Sequence, residues 1–379
     1  MKINIVGGGP AGLYFALLMK KAEPGCDITV LERDGPDDTF GWGIVFSDRT
    51  MAYLSYHDDE THRAIEDTFE TWDNVDVIHR GQKITIRGNR FSGIARLAFL
   101  NILRRRCLEL GVTIQFNTNV STEDLPSLAE ADLLVGADGA NSLLRREFAE
   151  RFRPTVELRR NRYIWLGTRR LFHGLTLTFK THGGGAYASH AYQFDRTTST
   201  FIVECSEDTW TKAGFERMSD DDTCGHLAGV FGDELEGRPL LSNNFVKWLR
   251  FPLIRNDCWH AGNMVLLGDA LHTAHFSIGS GTKLALEDAI ALYQCFRPSS
   301  RVPEALAEFE RVRRPVIDAY QAAAQSSMTW FEEFEQRMHL EPIELAHELM
   351  TRSGRIDDAS LRRRDPAFWA AYEAWRKGR

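Results

Sequence analysis

The sequence contains no apolar run near the ~20 residues that a membrane span needs. It has no C-x-x-C pair: Cys26, Cys107, Cys205, Cys224, Cys258 and Cys295 are scattered singly. That pattern excludes a dithiol redox motif and reads as reduced thiols in a cytoplasmic enzyme. There is no basic excess. The 46 Lys and Arg against 53 Asp and Glu give a net charge of −7, so no global field is available to hold nucleic acid. No His–carboxylate spacing suggests a metal, and no G-x-S-x-G suggests a hydrolase. Internal repeats and low-complexity tracts are absent. The first apolar run is too short for a signal peptide and flows straight into a glycine turn. What is present is 379 residues, 43% hydrophobic and 26% charged, the composition of a globular chain with room for two or three domains.

The stretch Ile3–Gly12 organises the chain. A short apolar strand runs into Gly7, Gly9 and Gly12 at G-x-G-x-x-G spacing, and Leu13–Lys20 reads as a helix. Each glycine has a role: a tight turn, backbone approach to a pyrophosphate, and close packing of helix on strand. The helix N-terminus adds free N–H groups and positive partial charge for phosphates. Twenty residues after Gly12, the strand Ile28–Leu31 ends at Glu32, a carboxylate able to accept hydrogen bonds from a ribose. The plainer alternative is an ordinary glycine-rich turn between strand and helix.

Asp34–Asp48 is dense in Gly, Pro and Asp, and carries Phe40-Gly41-Trp42-Gly43-Ile44-Val45. Glycines around a tryptophan suit a loop where backbone approaches a flat ring; a plain connector is the alternative. Thr50–Trp72 is expected to be helical, Val75–Arg90 two short strands, and Arg96–Leu110 a helix stopped by Gly111, with Arg104-Arg105-Arg106 mostly facing water. Val112–Phe116 reads as a strand. Ala131–Ala137 reads as a buried parallel strand running into Asp138-Gly139. From Arg162 to Cys205 the pattern becomes an antiparallel meander: Tyr163–Thr168, Leu175–Phe179, Gly185–Phe194 and Ser199–Cys205. Thr209–Leu235 looks helical and Phe245–Phe251 a return strand. Met264–Leu267 is one more buried strand, ending in Gly268-Asp269-Ala270. A helix starts near Thr282, and a long one, kinked at Pro315, runs from Pro303 to Glu335. The tail Arg352–Arg379 is expected to dock Phe368, Trp369, Tyr372 and Trp375 on the body. The fold class expected is α/β with an α+β second domain. A Rossmann-like domain (1–71, 92–156 and 258–330) is interrupted by an antiparallel-sheet substrate domain (72–91 and 157–257) and followed by a helical tail (331–379).

In this order, Gly7–Gly12 with Glu32-Arg33, then Asp138-Gly139, then Gly268-Asp269 resemble the single-component FAD-dependent aromatic hydroxylases over most of residues 1–330. Phe40–Asp48, Asn161–Thr168, Ser199–Ser206 and His272–Ala289 look like the branch acting on salicyloyl-CoA and anthraniloyl-CoA. So do Ser353-Gly354-Arg355 and Arg364-Asp365-Pro366. A more distant likeness is to the indole hydroxylases of violacein-type pathways. The resemblance implies FAD, with NADH or NADPH and O2 as co-substrates. It implies hydroxylation of an aromatic acyl-CoA through a C4a-hydroperoxyflavin, salicyloyl-CoA at carbon 5 giving gentisyl-CoA. By the same resemblance Gly7, Gly9, Pro10, Ala11 and Gly12 would hold the pyrophosphate, Glu32 the adenosine ribose and Arg33 the adenine side. Trp42, Gly43 and Val45 would lie along the isoalloxazine, with Arg96 at a phosphate or the ribityl chain. Asp138 would lie near the FAD, Asp269 at the ribityl hydroxyls, and Gly281, Thr282 and Lys283 would offer N–H groups to the flavin pyrimidine edge, where a helix N-terminus stabilises an anion.

The chain departs from the family at His275-Phe276, where most members have two prolines. His275 reads either as a substrate or peroxide contact, or as a packed loop histidine. Period-two alternation puts Ala188, His190, Tyr192 and Phe194 on one face of their strand. His190 and Tyr192 are expected in the substrate pocket with Arg160, Arg162, Tyr163 and Trp165, or else they are satisfied core residues. Arg159, Arg160, Arg169 and Arg170 are candidates for CoA phosphates, or a solvated face. Competing readings are anthraniloyl-CoA or a free tryptophan- or indole-derived substrate, a flavoprotein dehydrogenase, and a non-catalytic FAD-fold protein. The oligomeric state, a homodimer included, is left open.

Overall fold

The computed structural model describes residues 1–38, 41–243, 247–279, 281–296 and 301–378. Its first sheet is built on strands that are apolar on both faces, as a parallel sheet covered on two sides requires. Ile3, Ile5, Leu133, Leu134 and Val135 are all 0% exposed. The order across the sheet is His260–Ala261, Met264–Leu266, Leu133–Gly136, Lys2–Val6, Asp27–Leu31, Thr113–Gln115. Neighbours are parallel except the first pair. Helices Pro10–Ala22, Arg96–Leu110 and Gly281–Cys295 share its core. Met264–Leu266 enters this sheet beside Leu133–Gly136 only after the chain has built its second sheet.

The second sheet runs Leu240–Leu241, Pro154–Thr168, Ser199–Cys205, Gly185–Gln193, Leu175–His182, Val75–His79, Gln82–Ile86, with Leu249–Asn256 also paired to Pro154–Thr168. All neighbours are antiparallel except Val75–His79 and Leu175–His182. Pro154–Thr168 is much longer than the expected Tyr163–Thr168. Its first half pairs only with Leu249–Asn256, and its second half also with Ser199–Cys205. The return strand therefore starts later than the expected Phe245–Phe251, whose first two residues lie outside the described residues. One face of this sheet (Ile164, Leu166, Tyr187, Ala191, Phe201, Val203) packs with Phe215, Leu227, Val230 and Leu235 of the helical segment after it. That segment is broken into Glu207–Ala213, Asp220–Val230 and Gly232–Leu235, the first break at Gly214 in the left-handed region.

Two further expectations are corrected. Thr50–Trp72 is two helices, Asp48–His57 and Asp59–Glu66, then a strand Glu70–Trp72 that pairs with Phe91–Ala95, itself paired with Gly43–Ser47. The break falls at Asp58, whose carboxylate accepts from Thr61 N at 3.2 Å and pairs with Lys21 at 2.7 Å. Arg104 does not face water: it is 6% exposed, with its guanidinium on Pro36 O and 5.2 Å from the Phe116 ring centre. Three consecutive helical residues span ~200° of the helix, so they cannot share one solvent face.

The long helix is Val302–Glu332 with Pro315 inside it. Trp330, Phe331 and Phe334 cluster with Phe179, Leu345, Leu361 and Phe368, which ties the C-terminal helices to the second sheet. Tyr372 stacks on His347 at 4.0 Å. No helix among the described residues is long and apolar enough to cross a membrane.

Candidate flavin site

The glycine turn separates two kinds of glycine. Gly7 has φ +107°, and a Cβ there would overlap the Ala137 carbonyl; a Cβ on Gly12 would overlap the Gly7 carbonyl. Both are required by the protein's own packing. Gly9 differs: its φ is −79°, and a Cβ would meet nothing within 4 Å. Nothing in the protein asks for glycine there, but a group approaching from outside would. Pro10 opens the helix at a position that needs no N–H, and the N–H groups of Ala11 and Gly12 behind it have no intrahelical partner. Glu32 sits beside this turn, its carboxylate accepting from Gly8 N at 2.6 Å and Asp34 N at 3.0 Å. Arg33 is half-exposed, 3.5 Å from Asp34.

Behind the turn lies a cleft with unmet polar groups. Arg96 Nε and Asp138 Oδ1 are buried without a hydrogen-bond partner. Asp138 uses its other oxygen on Leu143 N at 2.6 Å. Asp269 is solvent-accessible although protein surrounds it on every side, so it lines an internal cleft. Those surroundings push its pKa up, against the pull of His272 and Arg96. Burial likewise pushes Arg96 down, opposed by Asp269 and Glu32. The Gly268–Ala270 turn rests on the first helix: a Cβ on Gly268 would lie 2.9 Å from Ala11 Cβ. Asp288, 0% exposed, holds this corner through His272 Nε2 at 2.8 Å and Arg313 Nε at 2.7 Å. Gly281, Thr282 and Lys283 form the first turn of Gly281–Cys295. The Lys283 ammonium is taken by Glu287 at 2.5 Å and the Tyr320 ring at 4.4 Å, which leaves its backbone N–H.

Aromatic rings wall the next part of the cleft. A Cβ on Gly41 would lie 2.6 Å from the Trp165 ring, and one on Gly167 would lie 2.8 Å from the Trp42 ring. The indoles lie against bare backbone, and both indole N–H groups are buried and unpaired. Gly43 packs on Phe194 in the same way, with Val45 further along its strand. Tyr192 donates to Gly43 O at 2.7 Å and stacks on Trp72 at 5.9 Å. Its hydroxyl thus positions the Gly43 strand rather than standing free. Phe40 and Ser280 lie outside the described residues.

His190 is held between Phe276 at 5.3 Å and Phe331 at 4.7 Å. Its Nε2 lies 3.5 Å from Glu204 Oε2, and both atoms are buried with no hydrogen bond. Glu204 Oε1 accepts from Asn161 Nδ2 at 2.9 Å. Burial raises the Glu204 pKa, but His190, His275 and Asn161 more than offset it and leave it below the usual range. Tyr163 packs on Phe276 at 4.9 Å, and its hydroxyl is pushed up to about 12 by burial, Asp269 and Glu204. His275 is 3% exposed, with a pKa near 4 caused by burial.

Arg162 is not with this group. It shares the strand face of Ile164 and Leu166, opposite Tyr163 and Trp165, and pairs with Glu207 at 2.6 Å over Trp210. Arg160 is exposed, and its side chain has no partner among the described residues; its backbone N donates to Glu332 at 2.9 Å. Arg159 is tied to Glu332, Arg169 to Thr197 and Arg170 to Glu236, so the four arginines do not converge. Glu204, Asn161, Asp288 and Arg352 were not anticipated. Glu204 carried a usable signal: it is the one charged residue in Ser199–Cys205.

An open second glycine, a carboxylate at the second strand's end, a buried arginine Nε and a buried carboxylate oxygen without hydrogen-bond partners, and flat rings on bare backbone fit a diphosphate-linked nucleotide with a large planar ring. That is the shape of FAD. Residues 1–324 match the family described as FAD binding domain, and the chain belongs to it. It is an FAD-dependent aromatic monooxygenase.

The chain is 39% identical to salicyloyl-CoA 5-hydroxylase of a Streptomyces species, covering 99% of this chain and 74% of that one. It is 36% identical to protodeoxyviolaceinate monooxygenase of Chromobacterium violaceum, covering 91% and 92%. Among solved structures it is similar in fold to 2-methyl-3-hydroxypyridine-5-carboxylic acid oxygenase, with TM-score 0.71, 17% identity, and 96% and 98% of the two chains covered.

Proposed function

We propose that the protein hydroxylates an aromatic acyl thioester, with salicyloyl-CoA at carbon 5 as first candidate substrate and NADH or NADPH and O2 as co-substrates. FAD, when bound, supplies acceptance of a hydride and activation of O2. Gly7, Gly9, Pro10, Ala11 and Gly12 hold its pyrophosphate, Glu32 and Arg33 its adenosine, and Arg96, Asp138 and Asp269 the polar groups of its linker. Trp42, Gly43, Val45 and the backbone N–H groups of Gly281–Lys283 hold its ring. Tyr163, Trp165 and Phe276 form the water-poor wall against which an aromatic substrate lies, as hydroxylation without wasteful decay requires. The observation that carries the reading is the buried, hydrogen-bond-free pair His190 Nε2 and Glu204 Oε2 at 3.5 Å within that aromatic wall. A ring activated by a hydroxyl or amino group must shed a proton. Glu204 favours the proton on Nε2, which leaves His190 Nδ1 to accept that of the substrate. Of Arg159, Arg160, Arg169 and Arg170, only Arg160 and Arg169 have no carboxylate partner among the described residues, which leaves their charges for CoA phosphates.

The similarity to a violacein-pathway monooxygenase favours a second reading, a free indole-type substrate. NAD(P)H oxidation by the flavin-loaded protein, with salicyloyl-CoA against free salicylate and products identified by mass, separates the two. Gain of one oxygen only on the thioester supports the first reading, and turnover without the thioester overturns it.

A further inference from the structure

Four side chains outside the nucleotide cradle form one directional chain. The Arg352 guanidinium, which can only donate, gives Nε–H to Ser327 Oγ at 2.8 Å. Ser327 Oγ lies 2.7 Å from Ser277 Oγ, and Ser277 Oγ lies 2.8 Å from His275 Nδ1. At the other end the Ser277 backbone N–H, also only a donor, points to His275 Nδ1 at 3.4 Å. A nitrogen that accepts carries no proton. The Ser277 hydroxyl hydrogen therefore goes to Nδ1, that of Ser327 to Ser277 Oγ, and that of Arg352 to Ser327. The Ser277 N–H end sets this direction, and the Arg352 end, which only donates, agrees with it.

We infer that Arg352, acting through Ser327 and Ser277, holds His275 as a neutral imidazole protonated on Nε2, which presents one hydrogen-bond donor to an oxygen of the bound aromatic substrate. Nε2 has no partner among the described residues, and the ring is 3% exposed, at 4.9 Å from Phe251 and 4.1 Å from Phe276. The charged or titratable groups facing it are Glu204, His190, Arg159 and Arg352, each from a different segment. Arg352 is itself fixed by Ser277 O at 2.6 Å, by Leu349 O, and by the Phe331 ring at 5.4 Å. A neutral donor stabilises negative charge on an acyl carbonyl or ring oxygen without delivering a full proton, which would quench an electron-rich ring. His275 is the group touching substrate; Ser277, Ser327 and Arg352 are positioning residues.

The identity of the acceptor rests on the function proposed above, whereas the tautomer is a property of the protein alone. The test is a long-range proton–nitrogen NMR spectrum of the flavin-loaded protein labelled with ¹⁵N-histidine, with His275 assigned through His275→Gln. The expected result is a protonated Nε2 and an unprotonated Nδ1 at neutral pH, retained in Arg352→Lys and shifted toward mixed tautomers in Arg352→Met and Ser277→Ala, where the long 3.4 Å contact from the Ser277 backbone N–H is the one oriented donor left on Nδ1. A protonated Nδ1, an imidazolium, or a tautomer unmoved in Arg352→Met and Ser277→Ala overturns the relay. In parallel, Kd values are measured for benzoyl-CoA and salicyloyl-CoA. Ser277→Ala is expected to weaken binding about 10–100-fold, the range for outer partners that orient a functional histidine. A loss shared by both thioesters places the acceptor at the carbonyl, and a loss confined to salicyloyl-CoA places it at the ring oxygen. Unchanged affinity for both overturns the donor role. If neither thioester binds the unaltered protein, the substrate assignment fails while the spectrum still decides the relay.

Discussion

The second glycine of the turn gives the sharpest separation of cofactor binding from folding. At Gly9 the backbone is extended with φ −79°, and an added methyl meets no protein atom within 4 Å. Replacing glycine by alanine at a compatible conformation gains about 0.4–1 kcal/mol through the unfolded state. At a helix N-cap, alanine is the poorer residue by about half a kcal/mol. The two offset, so Gly9→Ala apoprotein is expected within about 0.5 kcal/mol of the parent in denaturant titration. FAD should respond differently. The methyl fills the space through which a pyrophosphate reaches the helix N–H groups. Displacing it forfeits an anion–dipole interaction and at least one charge-assisted hydrogen bond, together about 3 kcal/mol or roughly 100-fold in Kd. Gly7→Ala is the control: its φ of +107° alone costs about 1–3 kcal/mol of folding, before the overlap with Ala137. The assay is deflavination, denaturant titration of each apoprotein, and flavin-fluorescence quenching on FAD addition. A Gly9→Ala protein with both native stability and parental FAD affinity would refute the assignment of this turn to the pyrophosphate.

Other outcomes follow from the same geometry. Asp288→Ala leaves His272 Nε2 without its buried partner and Arg313 with Glu287 as its one remaining carboxylate, and is expected to cost about 1–3 kcal/mol by denaturant titration. His275 should make the protein acid-sensitive. Its native pKa near 4 lies below the 6.5 of an ordinary histidine, so the unfolded chain binds the extra proton between those values. Stability is complete above about pH 6.5 and falls by up to about 3 kcal/mol as pH drops toward 4, a slope that His275→Gln should flatten. Arg96→Met removes an unpaired buried donor facing Asp269, and should weaken FAD about 10–100-fold with little loss of apoprotein stability; calorimetric titration of both proteins checks this. Glu204→Gln should lower hydroxylation with an acidic-limb change in the pH profile of kcat/KM, and an unchanged profile would exclude the pair from proton transfer.

The nucleotide half of the molecule was legible because its signals are local. Glycine spacing, an acid at the end of the next strand, an Asp–Gly turn and a Gly–Asp turn are short local patterns. The return of Met264–Leu266 to the first sheet was readable from its apolar run. The substrate side was harder, since its geometry depends on register. Tyr163 and Arg162 are adjacent in sequence, yet face opposite sides of Pro154–Thr168, and only the pairing with Ser199–Cys205 decides which faces the cleft. Parity would have flagged Glu204, whose neighbour across the sheet is Tyr163. Nothing local could have joined Arg352 to Ser277, 75 residues apart, or placed Asp288 between His272 and Arg313. Arg104 misled for a related reason: a run of three arginines looks solvated until the helix phase is applied.

The measurement that bears most directly on the account is labelled-oxygen incorporation. The flavin-loaded protein is supplied with NADH, salicyloyl-CoA and ¹⁸O₂, and the thioester product is weighed. The expected result is one ¹⁸O atom on the aromatic ring of the CoA ester and none from water. Oxidation of the thioester without added oxygen, or an added oxygen taken from water, would contradict it.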